Sequence, residues 1–454
     1  MSHTQALAAP AHAPEPLTSS HTKMQSSTLL SRAVPPQVAA ASAEVDERNA
    51  AFYGAIRYPW PPHYFERLAD PRFWARALDQ DVGRGGHPVL PSAGGRVWVA
   101  GCGTNQALIT ALMFPGAHVV GSDVSAGSLE VAERNARQLG VTNLELRTES
   151  IHEVRYAEEF DYVLCTGVVH HTADPDDAVA RLAAALRPTG VLQLMVYHRY
   201  RRVLPTAFQA ALRVLLGGER NEMEEELALA RRFVQHYDGT GKMAAWLATF
   251  REVPDAQLAD TLIQPVERSY TVDSLERLAR GVGLELLAPF PSAHDAADGT
   301  LHWEAELGDP ELQRAYDALP DVRRWQVTSL LLMERAPMLW FYLQREDSPF
   351  SRPTTGDLCE AFLDARCTPA RTTRRMYVAG PEGAYSPSPR ELPFPVWRGR
   401  GDAQRVFETL DAGRPLRATL ERLGIPVDDL RTVNRLRVEL ASSAFPFLRT
   451  DGAA

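Results

Sequence analysis

Lysine is almost missing from this chain. Of its 48 basic residues only Lys23 and Lys242 are lysines, and arginine supplies the rest, a bias that reads as GC-rich coding rather than a functional choice. Cysteine is scarce too: the chain has only Cys102, Cys165, Cys359 and Cys367, with no C-x-x-C spacing among them. With no secretory signal in the sequence, a reducing cytoplasm is the expected setting. No run approaches the roughly 20 apolar residues of a membrane helix. Positive charge is in deficit, with a formal net charge of −9, which disfavours nucleic acid as a partner. No tandem repeat is present. What remains is a chain of 454 residues, long enough for a full α/β core and an additional domain.

The most informative stretch is Val97–Asp123, VWVAGCGTNQALITALMFPGAHVVGSD. It reads as a buried strand, a glycine-punctuated turn, a helix, and a second strand that ends in a carboxylate. Gly101 and Gly103 let the backbone turn sharply and approach a ligand where a Cβ would obstruct it. Asp123, twenty residues after Gly103, stands where a carboxylate accepts from ribose hydroxyls. A dinucleotide fingerprint G-x-G-x-x-G requires a third glycine, yet Gln106 holds that position, after Asn105. The missing glycine weakens an NAD or FAD reading, because the pyrophosphate needs a closely packed helix end. A nucleoside ligand without phosphates makes no such demand.

Strand and helix then keep alternating. Ser125 caps a helix with Leu129, Ala132, Ala136 and Leu139 on one face and Gly140 as its stop. Asn143–Arg147 is a predicted third strand and Phe160–Cys165 a fourth. Asp174 caps a helix with Pro175 in its first turn, Arg187–Gly190 turns the chain, and Val191–Tyr197 is a fifth strand. Repeated β-α units of this length predict a parallel sheet with helices on both faces.

The run from Val97 to Tyr197 resembles the core of the class I S-adenosylmethionine-dependent methyltransferases. VWVAGCGTNQ is similar to the family's glycine turn, VVGSDVS to its ribose-binding strand, and FDYVLCTGVVHHTADPDDAVARLAAALRPTGVLQLMVY to its fourth strand, helix and fifth strand. Pro265–Leu287 and Met338–Gln344 resemble the regions of the sixth and seventh strands, and YPWPP at Tyr58–Pro62 resembles a YPYPP segment of a bacterial branch. Two positions depart from the family: Val99 stands where many members have an acid, and Asn105 replaces the usual third glycine.

The resemblance implies a Rossmann-like α/β fold with a seven-stranded sheet, S-adenosyl-L-methionine as cofactor, and methyl transfer to an O, N or C atom. It implies cofactor contacts from Gly101, Cys102, Gly103, Thr104 and Asn105 in the turn, and from Asp123 and Val124 at the ribose. Glu149, Ser150 and Ile151 fall at the adenine, and Thr166, Gly167 and Val168 at the end of the fourth strand. Tyr53, Arg57 and Tyr58 are placed to close over the amino acid end, Arg57 pairing with a carboxylate. Each has a plainer reading: Asp123 as a helix cap, Cys102 and Cys165 as small buried thiols, Glu149 as a loop acid, Tyr58 as packing between prolines. His170 is the candidate general base. Two adjacent loop histidines, His170 and His171, point apart, so joint metal ligation is not expected, and a bond from His171 near Asp174 is the structural alternative.

Composition divides the chain into a disordered arm (1–44), a methyltransferase domain (45–347) and a C-terminal part (348–454). Residues 45–91 are expected to form a helical cover over the cleft, and 198–265 and 293–335 to be insertions that shape substrate access. The C-terminal part opens with a Pro/Gly/Thr-rich linker. Helical patterns at Val406/Leu410, Leu416/Leu420/Leu423 and Leu430/Val433/Leu436/Leu440 predict a small helical module, winged-helix-like or dimerising. The expected acceptor is a small molecule, a peptide or a protein side chain. Two other readings are open: an NAD(P)-dependent oxidoreductase, and a non-catalytic S-adenosylmethionine-binding sensor or scaffold.

Overall fold

A computed structural model describes residues 36–56, 62–217, 222–292, 302–335, 338–380, 383–397 and 399–451. Helix α1 (Pro36–Ile56), strand β1 (Tyr64–Leu68) and helix α2 (Phe73–Val82) lead into the alternating core. There follow β2 (Gly95–Ala100), α3 (Gln106–Met113), β3 (Ala117–Asp123), α4 (Ala126–Gln138), β4 (Leu144–Thr148), β5 (Phe160–Thr166), α5 (Pro175–Ala185) and β6 (Leu186–Val196). Four helices, α6 (Val203–Leu215), α7 (Met223–His236), α8 (Lys242–Ala248) and α9 (Asp255–Leu262), precede α10 (Val272–Arg280) and β7 (Leu284–Pro289). Two more helices, Pro310–Asp317 and Asp321–Leu332, separate β7 from β8 (Leu339–Arg345).

These strands form one seven-stranded sheet in the order β4-β3-β2-β5-β6-β8-β7. β2 to β6 pair in parallel, and β8 runs antiparallel to both its neighbours. The central strands are apolar without alternation because helices cover both faces. Val97, Trp98, Val99 and Ala100 of β2 are all fully buried. Trp98 places its one polar atom by donating Nε1–H to Ser122 Oγ at 2.9 Å. The caps follow the sequence: Ser125 Oγ accepts from Ser128 N, and the Asp174 carboxylate from Asp177 N.

Four sequence expectations shift. The third strand lies one residue later, at Leu144–Thr148. Arg187–Gly190 does not leave the sheet: pairing jumps from Phe160↔Leu186 to Tyr162↔Val191, so these residues bulge within one long β6. Tyr64–Leu68, inside the expected helical cover, is a strand paired antiparallel with Arg374–Val378. Its partner lies some three hundred residues away, beyond the reach of local periodicity. At the amino end, α1 starts at Pro36, within the stretch expected to be disordered.

Beyond residue 348 the helices Thr355–Asp364, Gly401–Thr409, Leu416–Arg422 and Leu430–Ala441 enclose their own apolar cluster, centred on Phe362, Val406, Leu420 and Leu436. Polar contacts seat this part on the sheet. Asp81 of α2 is fully enclosed and accepts from Tyr342 Oη at 2.9 Å, from Ser443 N at 3.1 Å and from Ser443 Oγ. Burial pushes the Asp81 carboxyl up to about 6 against these bonds.

Candidate active site

The carboxyl edge of the parallel strands gathers most of the predicted residues. Gly101 (φ +66°) and Gly103 (φ +53°) take the left-handed conformation that a turn out of β2 requires. A Cβ on Gly101 would stand 2.3 Å from Val168 Cγ2, so the two loops meet without space for a side chain. Cys102 and Thr104 are buried beneath the turn, and Asn105 opens α3. Gln106, where a third glycine was missing, has a task of its own: its Nε2–H donates to Thr166 Oγ1 and ties the turn to the end of β5. The close helix–strand approach is made elsewhere, by Gly121 of β3, where a Cβ would come within 2.5 Å of Ala107 Cβ.

Asp123 ends β3 with its carboxylate already oriented. Gly103 N–H donates to one oxygen and Ser125 N–H to the other, each at 2.8 Å. Burial raises its pKa, opposed by the Ser125 and Gly103 N–H groups. Val124 follows it, half-buried. After β4, Ser150 Oγ donates to Asp46 of α1 and accepts from His152 N at 3.1 Å, while Ile151 is buried. The Glu149 carboxylate accepts from Tyr156 Oη. Thr166, Gly167 (φ +79°) and Val168 form the loop after β5. Arg57 and Tyr58 lie outside the described residues, as does YPWPP apart from Pro62.

His170 and His171 sit in the short turn Val169–His171, both buried. His170 lies against Tyr197 with ring centres 3.9 Å apart and against His171 at 4.1 Å, and neither of its nitrogens has a hydrogen-bond partner. Burial, then the charges of His171 and Arg202, holds its pKa well below the ordinary imidazole value. His171 does not reach Asp174; its Nδ1–H donates instead to Val266 O at 2.6 Å. His198 is fully buried; its Nδ1 accepts from Tyr200 N, which makes Nε2 the protonated nitrogen.

Burial pushes both the His171 and His198 imidazoles down to about 4. The folded chain therefore binds fewer protons than the unfolded one below pH 6.5, so this contribution is complete above 6.5 and is lost as pH falls through about 4. Each site is worth on the order of 3 kcal/mol. Nearby Asp260, raised by burial to about 6, has the opposite sign: its contribution is lost as pH rises through that value. Histidine ring NMR should show His171 and His198 neutral at pH 5; midpoints near 6.5 would remove burial as their governing cause.

The sequence did not point to the polar cluster beside these histidines. Arg202, at the start of α6, donates Nε–H to Glu267 Oε1 at 2.7 Å and Nη2–H to Glu267 Oε2, a forked pair with side chains 9% and 2% exposed. Arg202 also lies 4.4 Å over the Tyr197 ring, and Gln209 Nε2–H donates to Glu267 Oε2 at 3.2 Å. No local pattern marks a pair separated by sixty-five residues. On α1, Asp46, Asn49 and Tyr53 meet the loops after β4 and β5 and Gln264; of the three, Tyr53 alone was a candidate from the sequence.

Comparison with known proteins gives the same picture. The family described as "Methyltransferase domain" matches residues 92–243. An uncharacterized protein, syc1184_c, from Synechococcus is 30% identical over 276 residues, covering 58% of this chain and 65% of its own length. A ubiquinone biosynthesis O-methyltransferase from Chelativorans is 34% identical over 134 residues, 29% of this chain and 52% of its own. The chain thus spans between about half and two-thirds of these relatives' length. PKMT2 from Rickettsia typhi, solved alone and in complex with AdoHcy, shares the fold: TM-score 0.53 at 15% identity, with 86% of this chain and 76% of that one covered in the uncomplexed structure. Residues 92–243, which hold the glycine turn, Asp123 and the five parallel strands of the seven-stranded sheet, thus match a methyltransferase domain.

Proposed function

We propose that this protein transfers a methyl group from S-adenosylmethionine to an O, N or C atom of a small molecule, a peptide or a protein side chain in the cytoplasm. One observation carries the reading. The Asp123 carboxylate is held by two backbone N–H groups beside the glycine turn, and its remaining lone pairs are free to accept from a ribose diol. The cofactor supplies, when bound, a methyl group already activated on a sulfonium. The chain's own residues have three tasks: to hold, to align and to exclude water.

Gly101 and Gly103 give backbone access, Ser150 and Ile151 offer a polar and an apolar contact to a purine, and Thr166–Val168 wall the space beyond β5. His170, kept neutral by its burial, is suited to orienting an acceptor group by a hydrogen bond; a buried proton beside Arg202 is unfavourable. No helix among the described residues is long and apolar enough to cross a membrane. The formal charge of −9 favours an acceptor other than nucleic acid.

Isothermal calorimetry on the full chain tests the reading. S-adenosylmethionine and S-adenosylhomocysteine are expected to bind with micromolar-range constants and NADH to give no heat. Uptake of NADH without any heat from either adenosyl compound overturns it in favour of a dinucleotide enzyme. Binding without turnover across a broad acceptor panel, together with a stable protein complex, favours the sensor or scaffold.

A further inference from the structure

The side that α1 turns towards the core is partly polar. Asp46, Asn49 and Tyr53, three and four residues apart, share one stripe of the helix. Asp46 accepts from Ser150 after β4, Asn49 Nδ2–H donates to His171 O after β5 at 2.9 Å, and Gln264 Nε2–H donates to Tyr53 Oη at 2.9 Å. Gly54 stands above the loop after β3, where a Cβ would lie 3.7 Å from Ser125 Oγ. Of the inward residues, Phe52 provides the large apolar anchor, among Phe208, Leu212 and Leu262 of the helical insertion. The helix therefore spans the loops that follow β3, β4 and β5.

Hydrogen bonds exchanged for water are worth only about 0.5–1.5 kcal/mol each, so a seam of this kind opens at a lower cost than an apolar one of equal area. The seam also holds an acceptor with nothing to accept. Asn49 is buried, and because a carbonyl only accepts, its bond to His171 fixes the amide with Nδ2 outward to that oxygen; Oδ1 has no partner. Gln264, fully buried at the same seam, also leaves its Oε1 without a partner. Buried acceptors of this kind call for a donor.

We infer that α1 is a strap that closes over bound S-adenosylmethionine and adds Asn49 to the ligand-binding residues, its Oδ1 accepting from an N–H or O–H of the cofactor. The inference rests on the cofactor reading above. Hydrogen–deuterium exchange of the full chain tests it, with S-adenosylhomocysteine as the probe. Amides of residues 40–56 should slow at least about tenfold on binding, while the helix Leu430–Ala441 stays unchanged. Asn49→Ala should weaken binding about tenfold by calorimetry and lose most of that protection. If it lowers the melting temperature of the unliganded chain, Asp46→Asn, which keeps the side-chain size, takes its place with the same expected loss of protection. Binding heat without a change in α1 exchange overturns the strap, and wild-type affinity in Asn49→Ala overturns the ligand role. Absence of any heat overturns the cofactor reading itself and the strap with it, so the two failures are told apart.

Discussion

Asp123→Ala is expected to weaken S-adenosylhomocysteine binding roughly 10- to 150-fold, from about 1.5–3 kcal/mol for hydrogen bonds to a charged acceptor. Two effects add. The ribose diol loses its carboxylate, and Gly103 N–H and Ser125 N–H lose the acceptor that holds the turn in place. Asp123→Asn keeps one acceptor oxygen and should fall between the two. Calorimetry on material shown to be folded by circular dichroism makes the comparison. Wild-type affinity in Asp123→Ala would take this residue out of the site, and the functional reading would lose its main support.

Glu267→Ala should cost the most stability, about 3–5 kcal/mol, because it strands a guanidinium that is almost wholly enclosed. Arg202 has only a 9% exposed side chain, and besides Glu267 it meets the Tyr197 ring and donates Nη2–H to Thr261 O at 3.3 Å. Gln209 loses its carboxylate contact in the same change. The loss should be local, loosening α6 and α9 before the sheet, since the pair ties the start of α6 to the segment entering α10. Urea denaturation followed by tryptophan fluorescence, which samples Trp246 of the insertion, reads this directly. The isosteric Glu267→Gln should cost less. A loss below about 1 kcal/mol in Glu267→Ala would mean that solvent reaches Arg202 and the pair is a surface one.

Legibility in the sequence followed the range of the interactions. The glycine turn, the Ser125 and Asp174 caps and the unbroken apolar strands were readable because each rests on residues within a few positions. Gln106 was readable only as an absence. Its bond to Thr166 and the compensating Gly121 depend on which strands lie side by side, and register is not written locally. His170 and His171 were visible as a motif; their enclosure by Tyr197 and Arg202 was not, because it depends on where β6 ends. The strand Tyr64–Leu68 was missed because its pairing partner is Arg374–Val378, and a five-residue segment takes strand form only when an edge is there to receive it.

The sequence alone determined the α/β alternation, the glycine turn after β2 and the carboxylate that ends β3. These are consequences of chain geometry within one β-α-β unit, where a missing Cβ or a terminal carboxylate acts on its neighbours. Only the tertiary structure decided what surrounds that unit: the forked pair Arg202–Glu267, the polar inner face of α1, and the seating of the C-terminal part on Asp81. Burial governs all three. A polar group's energy depends on how completely other segments exclude water from it, and that exclusion is a property of the folded assembly of segments, not of any one of them.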